Sequence, residues 1–456
     1  MKSCLAIGFS LAFVSACGGD SGQGSGSAEG SGDGSASLTG AEGGSGSSSG
    51  GASATASTTA GTGTTADGSA SQETGQHDES GPPPVIFDVG ELPDLPPVVC
   101  GGGGQEGGGG GGGGNIPDLS YIWISNSAQG TVSKIDTQTM VEEGRYLAKQ
   151  SGGDPSRTSV NLNGDVAVAN RNGGVAKFWA DVDDCEDNNG TPGIQTSSGS
   201  GDVLGWGEED CMAWYLPLAC GSNRPVAWTR GVFDEASCSW IDAKLWTVCD
   251  SDVLLLNGDT GEIEETIVLD GGFPFVYGGA ADADGNFWGL DTGGGRIFRV
   301  DHEDYSVLGF TLPPSGGYGI TVDSEGRPWV CGGGGVSRFN LDDSTWDSTG
   351  TSGIGGCMTD GDQLIWHSNP SGTLLGFNIE TLAVDEMVQL PEYVHGVSVD
   401  FYGYVWGVGF ANNNAYRADP QTGQVDAYNG LTGAYTYSDM TGFALSTAGG
   451  GVVPSG

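Results

Sequence analysis

Oxygen-bearing side chains recur at close spacing between Asp181 and Ser198, which is the pattern that a hard cation requires. Oxygens at the first, third and fifth places of a short loop are typical Ca²⁺ ligands, and they are supplied here by Asp187, Asn189 and Thr191. Pro192 stands where such a loop needs Gly, and Ser198 replaces its terminal bidentate carboxylate. The segment is predicted either to bind Ca²⁺ or to form an acidic surface loop without metal.

The first residues of the chain indicate where the protein is located. Met1 and Lys2 precede an apolar run, residues 5–14, that is too short to span a bilayer, so residues 1–16 are predicted to be a signal peptide. The run ends in Val-Ser-Ala-Cys17, which resembles the lipobox of bacterial lipoproteins, in which the Cys carries the lipid. The resemblance implies a protein attached through lipid alone to the cell envelope, at the outer membrane or cell surface. An ordinary secretory signal with an incidental Cys is the alternative.

The ten cysteines predict disulfide bonds. Removal of Cys4 with the signal peptide and lipidation of Cys17 would leave eight, an even number in an exported chain. Sequence proximity favours two pairs, Cys185 with Cys211 and Cys331 with Cys357. The pairing of four others stays open: Cys100, Cys220, Cys238 and Cys249.

Composition divides the chain and excludes some partners. Residues 17–115 are mainly Gly, Ser, Thr and Ala, with too few large apolar groups to offset the entropy of ordering, so a disordered tether is expected there and a short disordered tail over 447–456. Residues 116–446 are long enough for one large domain, expected to be monomeric. The formal net charge of −43 makes nucleic acid and anionic membranes poor partners.

A repeated motif predicts the fold. D-x-x-G-x-x-W begins at Asp282, Asp323 and Asp400, and a unit of about 40 residues built from short strands and tight turns is typical of a propeller blade. Second strands are marked by one residue in each of seven units: Trp123, Ala167, Trp246, Trp288, Trp329, Trp366 and Trp406. The sequence therefore predicts an all-β, seven-bladed β-propeller of four-stranded antiparallel blades, with structural Trp residues. We expect a C-terminal strand near Tyr437 to complete blade one, and an acidic, Cys-bounded insertion at 181–221 to interrupt blade two.

The phase of the repeat predicts which side chains line one rim of the central channel. The residue before the first-strand Gly and the residue three past the Trp should face each other, since both are equally far from the turn. The first set is Ser156, Arg230, Tyr277, Tyr318, Gly355, His395 and Tyr437. The second set is Asn126, Asn170, Cys249, Asp291, Gly332, Asn369 and Gly409. Such a rim suits a sugar, peptide or small polar ligand, and Asp291 with Asp250 could hold a cation there; a mouth that contains only water is the alternative.

The repeats resemble streptogramin lyase and its NHL-like relatives over about residues 120–445, through the unit x-G-[IV]-x-x-D-x-x-G-x-x-W. In that family, His residues at the x position and a Glu just past a blade's Trp act with Mg²⁺ to eliminate the ester of a cyclic depsipeptide. Only His395 fits the x-position His, and no blade keeps the Glu. The resemblance thus implies one candidate catalytic residue, His395, and Mg²⁺ on the rim as a possible cofactor.

These observations favour a lipid-anchored, exported propeller that acts as a binding or scaffold module at the cell envelope. Its partner would be an envelope polymer, a peptide or a small polar ligand. Two alternatives stay open: a metal-assisted lyase of the streptogramin-lyase type, and a purely structural surface lipoprotein.

Overall fold

Antiparallel β-strands form nearly all of the computed structural model, which describes residues 120–270, 272–350, 353 and 355–448. Six blades are four-stranded sheets. The remaining one, blade one, has three strands flanked by a C-terminal segment. The predicted seven-bladed β-propeller is therefore confirmed. Cys17, the signal peptide and the tether lie outside the described residues, and among the residues described no helix is long and apolar enough to cross a membrane.

The strands follow one another blade by blade. Blade one contains β1 (Tyr121–Asn126), β2 (Thr131–Asp136) and β3 (Glu142–Leu147), and blade two contains β4 (Pro155–Val160), β5 (Val166–Asn170), β6 (Val175–Phe178) and β7 (Met212–Leu216). Blade three contains β8 (Asn223–Trp228), the hairpin β9 (Val232–Asp234) and β10 (Ser239–Ile241), then β11 (Lys244–Cys249), β12 (Asp252–Asn257) and β13 (Ile263–Val268). Blade four contains β14 (Val276–Ala281), β15 (Phe287–Asp291), β16 (Arg296–Val300) and β17 (Val307–Thr311).

The last three blades repeat the same order. Blade five contains β18 (Gly319–Val322), β19 (Pro328–Gly332), β20 (Gly335–Asn340) and β21 (Thr345–Thr349). Blade six contains β22 (Cys357–Thr359), β23 (Leu364–Ser368), β24 (Thr373–Asn378) and β25 (Val384–Gln389). Blade seven contains β26 (Val394–Val399), β27 (Val405–Gly409), β28 (Ala415–Ala418) and β29 (Val425–Tyr428), and one short helix, α1 (Phe443–Thr447), ends the described chain.

The Asp of the repeated motif builds the turn between the first two strands. In blade five, Asp323 Oδ1 accepts the backbone N–H groups of Glu325 (3.0 Å) and Arg327 (2.9 Å). Its Oδ2 accepts the indole N–H of Trp329 at 2.8 Å. Gly326 has φ +76°, a left-handed conformation that costs glycine nothing. Asp and Trp thus hold the turn against the second strand, which explains why the motif spaces them six apart.

The motif Trp residues are structural, as expected. Trp288 and Trp406 donate to Asp282 (3.0 Å) and Asp400 (2.7 Å) in the same way. All six Trp residues at this position are buried, with at most 1% of the side chain exposed. They pack with residues of neighbouring blades; Trp246, for example, belongs to one apolar cluster with Phe287 of blade four. Indole burial of this kind makes a large contribution to the stability of the ring.

The C-terminal segment closes the ring at blade one. Trp123 N donates to Met440 O at 2.9 Å, and Tyr435 N donates to Ser125 O at 3.1 Å, so the segment occupies the innermost place beside β1. It is hydrogen-bonded there without a regular strand ladder. Thr447, where a disordered tail was expected to begin, is the last residue of α1, and the whole helix is buried.

The insertion in blade two is shorter than the sequence indicated. It lies between β6 and β7 and includes a single turn of 3-10 helix, Val182–Asp184. The expected end at 221 is wrong, because residues 212–216 pair with β6 as the fourth strand of the blade. Disulfides join Cys185 to Cys211 and Cys331 to Cys357, the two pairs expected from their separation, and a third joins Cys220 to Cys249. Disulfides of this number are typical of exported proteins.

Candidate functional site

A β-bulge places the residue that precedes the first-strand Gly at the channel mouth. In blade four Val276 pairs with Asp291 and Gly278 with Leu290, so Tyr277 is the unpaired extra residue. The first strands of blades two, three and seven are interrupted at the corresponding point. A bulge bends the strand and redirects the extra side chain. The expected pairing of Tyr277 with Asp291 is therefore wrong by one residue.

Three tyrosine hydroxyls from different blades meet at the mouth. Tyr277 Oη donates to Tyr318 Oη at 2.6 Å, and Tyr435 Oη lies 2.6 Å from Tyr277 Oη and 2.5 Å from Tyr318 Oη. A phenol donates one hydrogen bond and accepts up to two, so the triangle closes when each hydroxyl donates to the next. The sequence predicted Tyr277 and Tyr318 for this rim. It missed Tyr435, although a position two residues before Tyr437 in an extended segment shares its face.

His395 is linked to this hydroxyl triangle. Its Nε2 lies 2.7 Å from Tyr318 Oη, and its Nδ1 lies 2.9 Å from Tyr393 Oη. Because the closed triangle already uses the Tyr318 proton, His395 must donate from Nε2 and accept at Nδ1. Only 3% of the residue is exposed, and burial, followed by the charge of Arg157, lowers its pKa to about 3. His395 is therefore neutral at physiological pH, and its Nδ1 lone pair already accepts the Tyr393 hydroxyl.

Arg157 fills the space beneath the tyrosines. It stands in blade two at the position that is Gly in blades four to seven, so a single long side chain reaches across the channel. Its Cζ lies 3.0 Å from the centroid of the Tyr437 ring and 5.0 Å from that of Tyr277. It is fully buried and donates to two carbonyls, Ser156 O (3.0 Å) and Tyr277 O (3.2 Å). Burial lowers the pKa of Arg157 to about 9, which still leaves the guanidinium charged.

The glycines at the corresponding positions are required by close packing around the channel. A Cβ on Gly396 would lie 2.3 Å from Thr436 O, and one on Gly356 would lie 2.8 Å from Tyr437 Cβ. The inner strands therefore approach too closely for a second long side chain on this side. Arg157 therefore occupies a space that the glycines at the same position in other blades leave empty.

Arg224 joins the site in place of the predicted Arg230. Arg224 lies on β8, with its Cζ 4.7 Å from the Tyr277 ring centroid and 5.3 Å from that of Phe275. Arg230 lies outside this group, since its Nη1 donates to Ala448 O at 3.1 Å and its Cζ is 5.6 Å from the Trp240 ring. The segment Arg230-Gly-Val matches the repeat unit, but it leads into the hairpin of β9 and β10 instead of forming a first strand.

Further aromatic groups surround the triangle. Tyr437 packs between the rings of Tyr318 (5.1 Å) and His395 (5.6 Å), and its own hydroxyl has no hydrogen-bond partner among the described residues. Phe410 lies 4.7 Å from the His395 ring and is 48% exposed. Arg171, paired with Asp154, lies 4.8 Å from the Tyr435 ring. We name the complete group the mouth cluster: Arg157, Arg171, Arg224, Phe275, Tyr277, Tyr318, Tyr393, His395, Phe410, Tyr435 and Tyr437.

The predicted second set organises turns instead of facing the channel contents. Asn126 donates to Ser133 Oγ (2.7 Å) and accepts from Thr432 N (2.8 Å), and Asn170 donates to Ala148 O (2.9 Å). Asp291 and Asn369 accept backbone N–H groups of the turns that follow them. Three of these side chains are fully buried, and Cys249 is in a disulfide. Their polar atoms are used within the fold. The accessible side chains of the mouth include Arg171, Arg224, Tyr318, Tyr393, Phe410 and Tyr435.

The acidic insertion is arranged around one buried carboxylate. Asp210 is 1% exposed and accepts the backbone N–H of Gln195 (2.8 Å) and the side-chain amide of Asn189 (3.0 Å). Asn189 Oδ1 accepts Thr191 N at 2.7 Å, and Asp187 Oδ2 accepts Gly193 N at 2.9 Å. Within the described ranges no group of three or more His, Cys, Asp or Glu residues is arranged to hold a metal. Ca²⁺ at Asp187, Asn189 and Thr191 stays a prediction.

Comparisons with known proteins give similarities in shape. No family model and no curated protein matches the chain. Among solved structures, a streptogramin B lyase is 14% identical (TM-score 0.47; 63% of this chain and 87% of that chain). The WD40 repeats of RRP9 are 12% identical (TM-score 0.48; 64% of this chain and 84% of that chain). The dihydro-heme d1 dehydrogenase NirN is 10% identical (TM-score 0.46; 72% of this chain and 77% of that chain). Similarities of this size assign neither a family nor an activity.

Proposed function

We propose that this chain is an exported, lipid-anchored β-propeller that binds a polar ligand at the mouth of its central channel, as a binding or scaffold module at the cell envelope. The mouth cluster is the observation that supports a ligand: aromatic faces, hydroxyls and guanidinium groups from six blades converge on one place. Aromatic rings and a few convergent polar groups are typical of ligand sites.

The half-exposed upper groups would make the first contact. Phe410 presents a ring of which 48% is exposed, and Tyr393, Tyr435 and Arg224 are partly exposed members of the same cluster. The hydroxyl triangle, to which Tyr435 itself contributes, and His395 form a hydrogen-bonded floor. A preorganised floor lowers the entropy that a ligand loses on binding. The site suits a ligand that stacks one face and offers hydroxyl or carboxyl oxygens.

The test is capture from envelope extract by the full-length chain, with the bound material identified by mass spectrometry. A variant with Tyr277→Phe, Tyr318→Phe and His395→Ala should retain much less ligand, because each lost hydrogen bond contributes about 0.5–1.5 kcal/mol to affinity. Phe233→Ala with Trp240→Ala is the matched control, since these rings pack on each other in the hairpin of blade three. Equal capture by the wild type and the triple variant would show that the captured ligand does not bind at the mouth.

The lyase alternative depends on His395, the one residue that fits the family's catalytic position. Its neutral imidazole touches Tyr318, but its Nδ1 is engaged by Tyr393 and the family's Glu is missing. We expect no ring opening of a cyclic depsipeptide ester with Mg²⁺. A positioned general base contributes about 10²–10⁴-fold to a rate. Turnover by the wild type that disappears in His395→Ala would favour the lyase over the binding module.

A further inference from the structure

Arginines in this acidic protein usually have carboxylate partners. Ion pairs hold Arg145, Arg171, Arg296, Arg299, Arg327, Arg338 and Arg417. Among the described residues Arg157, Arg224 and Arg230 are in no ion pair, although the chain has 58 Asp and Glu residues. Arg230 binds a backbone carbonyl. The other two lie at the channel mouth, where they flank the same tyrosine.

Arg157 and Arg224 both carry donors without an acceptor. Their Cζ atoms lie 5.0 Å and 4.7 Å from the Tyr277 ring centroid. Arg157 Nε, Arg224 Nε and Arg224 Nη1 are buried atoms with no hydrogen-bond partner in the described structure, and Arg157 as a whole is fully buried. A buried charge without a counterion is unfavourable, and aromatic faces offset only part of that cost. Arg157, which is fully buried, and Arg224, which is partly exposed, thus have no anion as a partner among the described residues.

We propose that Arg224, supported from below by Arg157, forms a carboxylate subsite, and that the ligand of the mouth is a saccharide that carries a uronic acid. This inference rests on the proposed function and narrows its ligand. A guanidinium presents paired donors that match the two oxygens of a carboxylate. The second positive charge raises the potential at that point, and the low dielectric of the buried site strengthens it.

The surroundings favour a saccharide over an acidic peptide. The groups around Arg224 are flat rings and phenol hydroxyls, which complement the face and the hydroxyls of a sugar. Apolar side chains of a peptide would need a pocket, and the rings here pack on one another at 4.7–6.2 Å. A saccharide that stacks one ring on Phe410 and binds Arg224 through a uronate carboxylate would use both the exposed ring and the unpaired guanidinium of the mouth.

The test is titration calorimetry of the full-length chain with trimers of galacturonate, glucuronate and mannuronate, each beside its carboxyl-reduced neutral form. At least one uronate should bind about tenfold or more tightly than its reduced form, since charge-assisted hydrogen bonds are about twice as strong as neutral ones. Arg224→Gln should abolish that difference, and Arg224→Lys should restore part of it. Arg230→Gln is the control, because Arg230 lies outside the mouth and is likewise in no ion pair among the described residues. This variant should bind the uronates as the wild type does.

The outcomes separate this inference from the proposed function. Equal affinity for acidic and reduced trimers, or an unchanged affinity in Arg224→Gln, would refute the carboxylate subsite while leaving a neutral ligand for the mouth. Tighter binding of a glutamate tripeptide, lost in Arg224→Gln, would assign the subsite to peptides and refute the saccharide. Failure of all three uronates to bind would also refute it, whereas the capture experiment with the triple variant decides the proposed function separately.

Discussion

At the level of single residues, the buried aspartate of each Asp-x-x-Gly turn has two tasks, because one oxygen holds the turn and the other holds the Trp. In blade five Arg327 Nε also contacts Asp323 Oδ2 at 2.8 Å. Removing the carboxylate would leave buried donors unsatisfied. Asp323→Ala should therefore lower the free energy of unfolding by about 2–4 kcal/mol, measured by urea denaturation.

A double-mutant cycle attributes that loss to the indole bond. Trp329→Phe removes the N–H donor and keeps an aromatic ring, so the two changes together should cost less than their sum. Asp343→Ala, in an exposed turn, is the control and should cost under about 1 kcal/mol. Strict additivity of Asp323→Ala and Trp329→Phe would show that the bond contributes little.

His395 gives a pH dependence whose sign follows from its pKa. The folded pKa of about 3 is below the unfolded value of about 6.5. The unfolded chain therefore binds the proton first, and stability is present above pH 6.5 and lost as the pH falls toward 3. At pH 5 the loss from this residue should be about 2 kcal/mol relative to pH 7.5. His395→Gln should show a smaller loss, and parallel pH profiles would mean that His395 is more solvated than its contacts indicate.

At the level of elements, the last segment of the chain completes the ring through Trp123 and Ser125. Deleting residues 437–456 should expose the inner edge of blade one and remove the buried helix α1, so the protein should aggregate or become protease-sensitive. Deleting only residues 449–456 leaves α1 and the contact at Met440 intact and is the control. Equal melting temperatures for both truncations would mean that the ring closes elsewhere.

The acidic insertion allows a test for a cation. If Asp187 and Asn189 are ligands, millimolar Ca²⁺ should raise the melting temperature, because a ligand stabilises the state that binds it. The increase should vanish in Asp187→Ala and persist in Asp183→Ala, a change in the nearby 3-10 turn. Without a shift in the wild type, the segment is a disulfide-closed loop arranged around Asp210.

The sequence predicted elements better than it predicted the mouth. The spacing of Asp, Gly and Trp determines a turn and two strands locally, so blade number and the position of the Trp residues were predictable. The bulges in blades two, three, four and seven left no signal in the motif, and the one in blade four shifted the pairing of Tyr277. In blade three a hairpin replaces the Asp-x-x-Gly turn. Arg230 therefore matched the sequence pattern, but Arg224 occupies the corresponding position at the mouth. Arg157 was missed because its own blade does not show that its side chain enters the channel. The space for it is left by glycines at the same position in other blades.

At the level of the whole molecule, the proposed anchor and the propeller should be separable. Cys17→Ser should release the protein from the membrane fraction without a change in its melting temperature, since lipid is the only anchor proposed. Cys4→Ser, within the predicted signal peptide, is the control and should stay membrane-bound. A Cys17→Ser variant that still sediments with membranes would refute the lipoprotein assignment.

Ring closure by residues 435–440 also has a consequence for how the protein is made. The segment that completes β1 follows all the other blade strands in chain order, so blade one keeps an open inner edge until every later blade has been synthesised. The ring can therefore close only after residues 435–440 have been synthesised. A chain stalled or cut before Met440 keeps an edge that chaperones and proteases recognise, so assembly of the channel mouth requires the chain to extend past this residue.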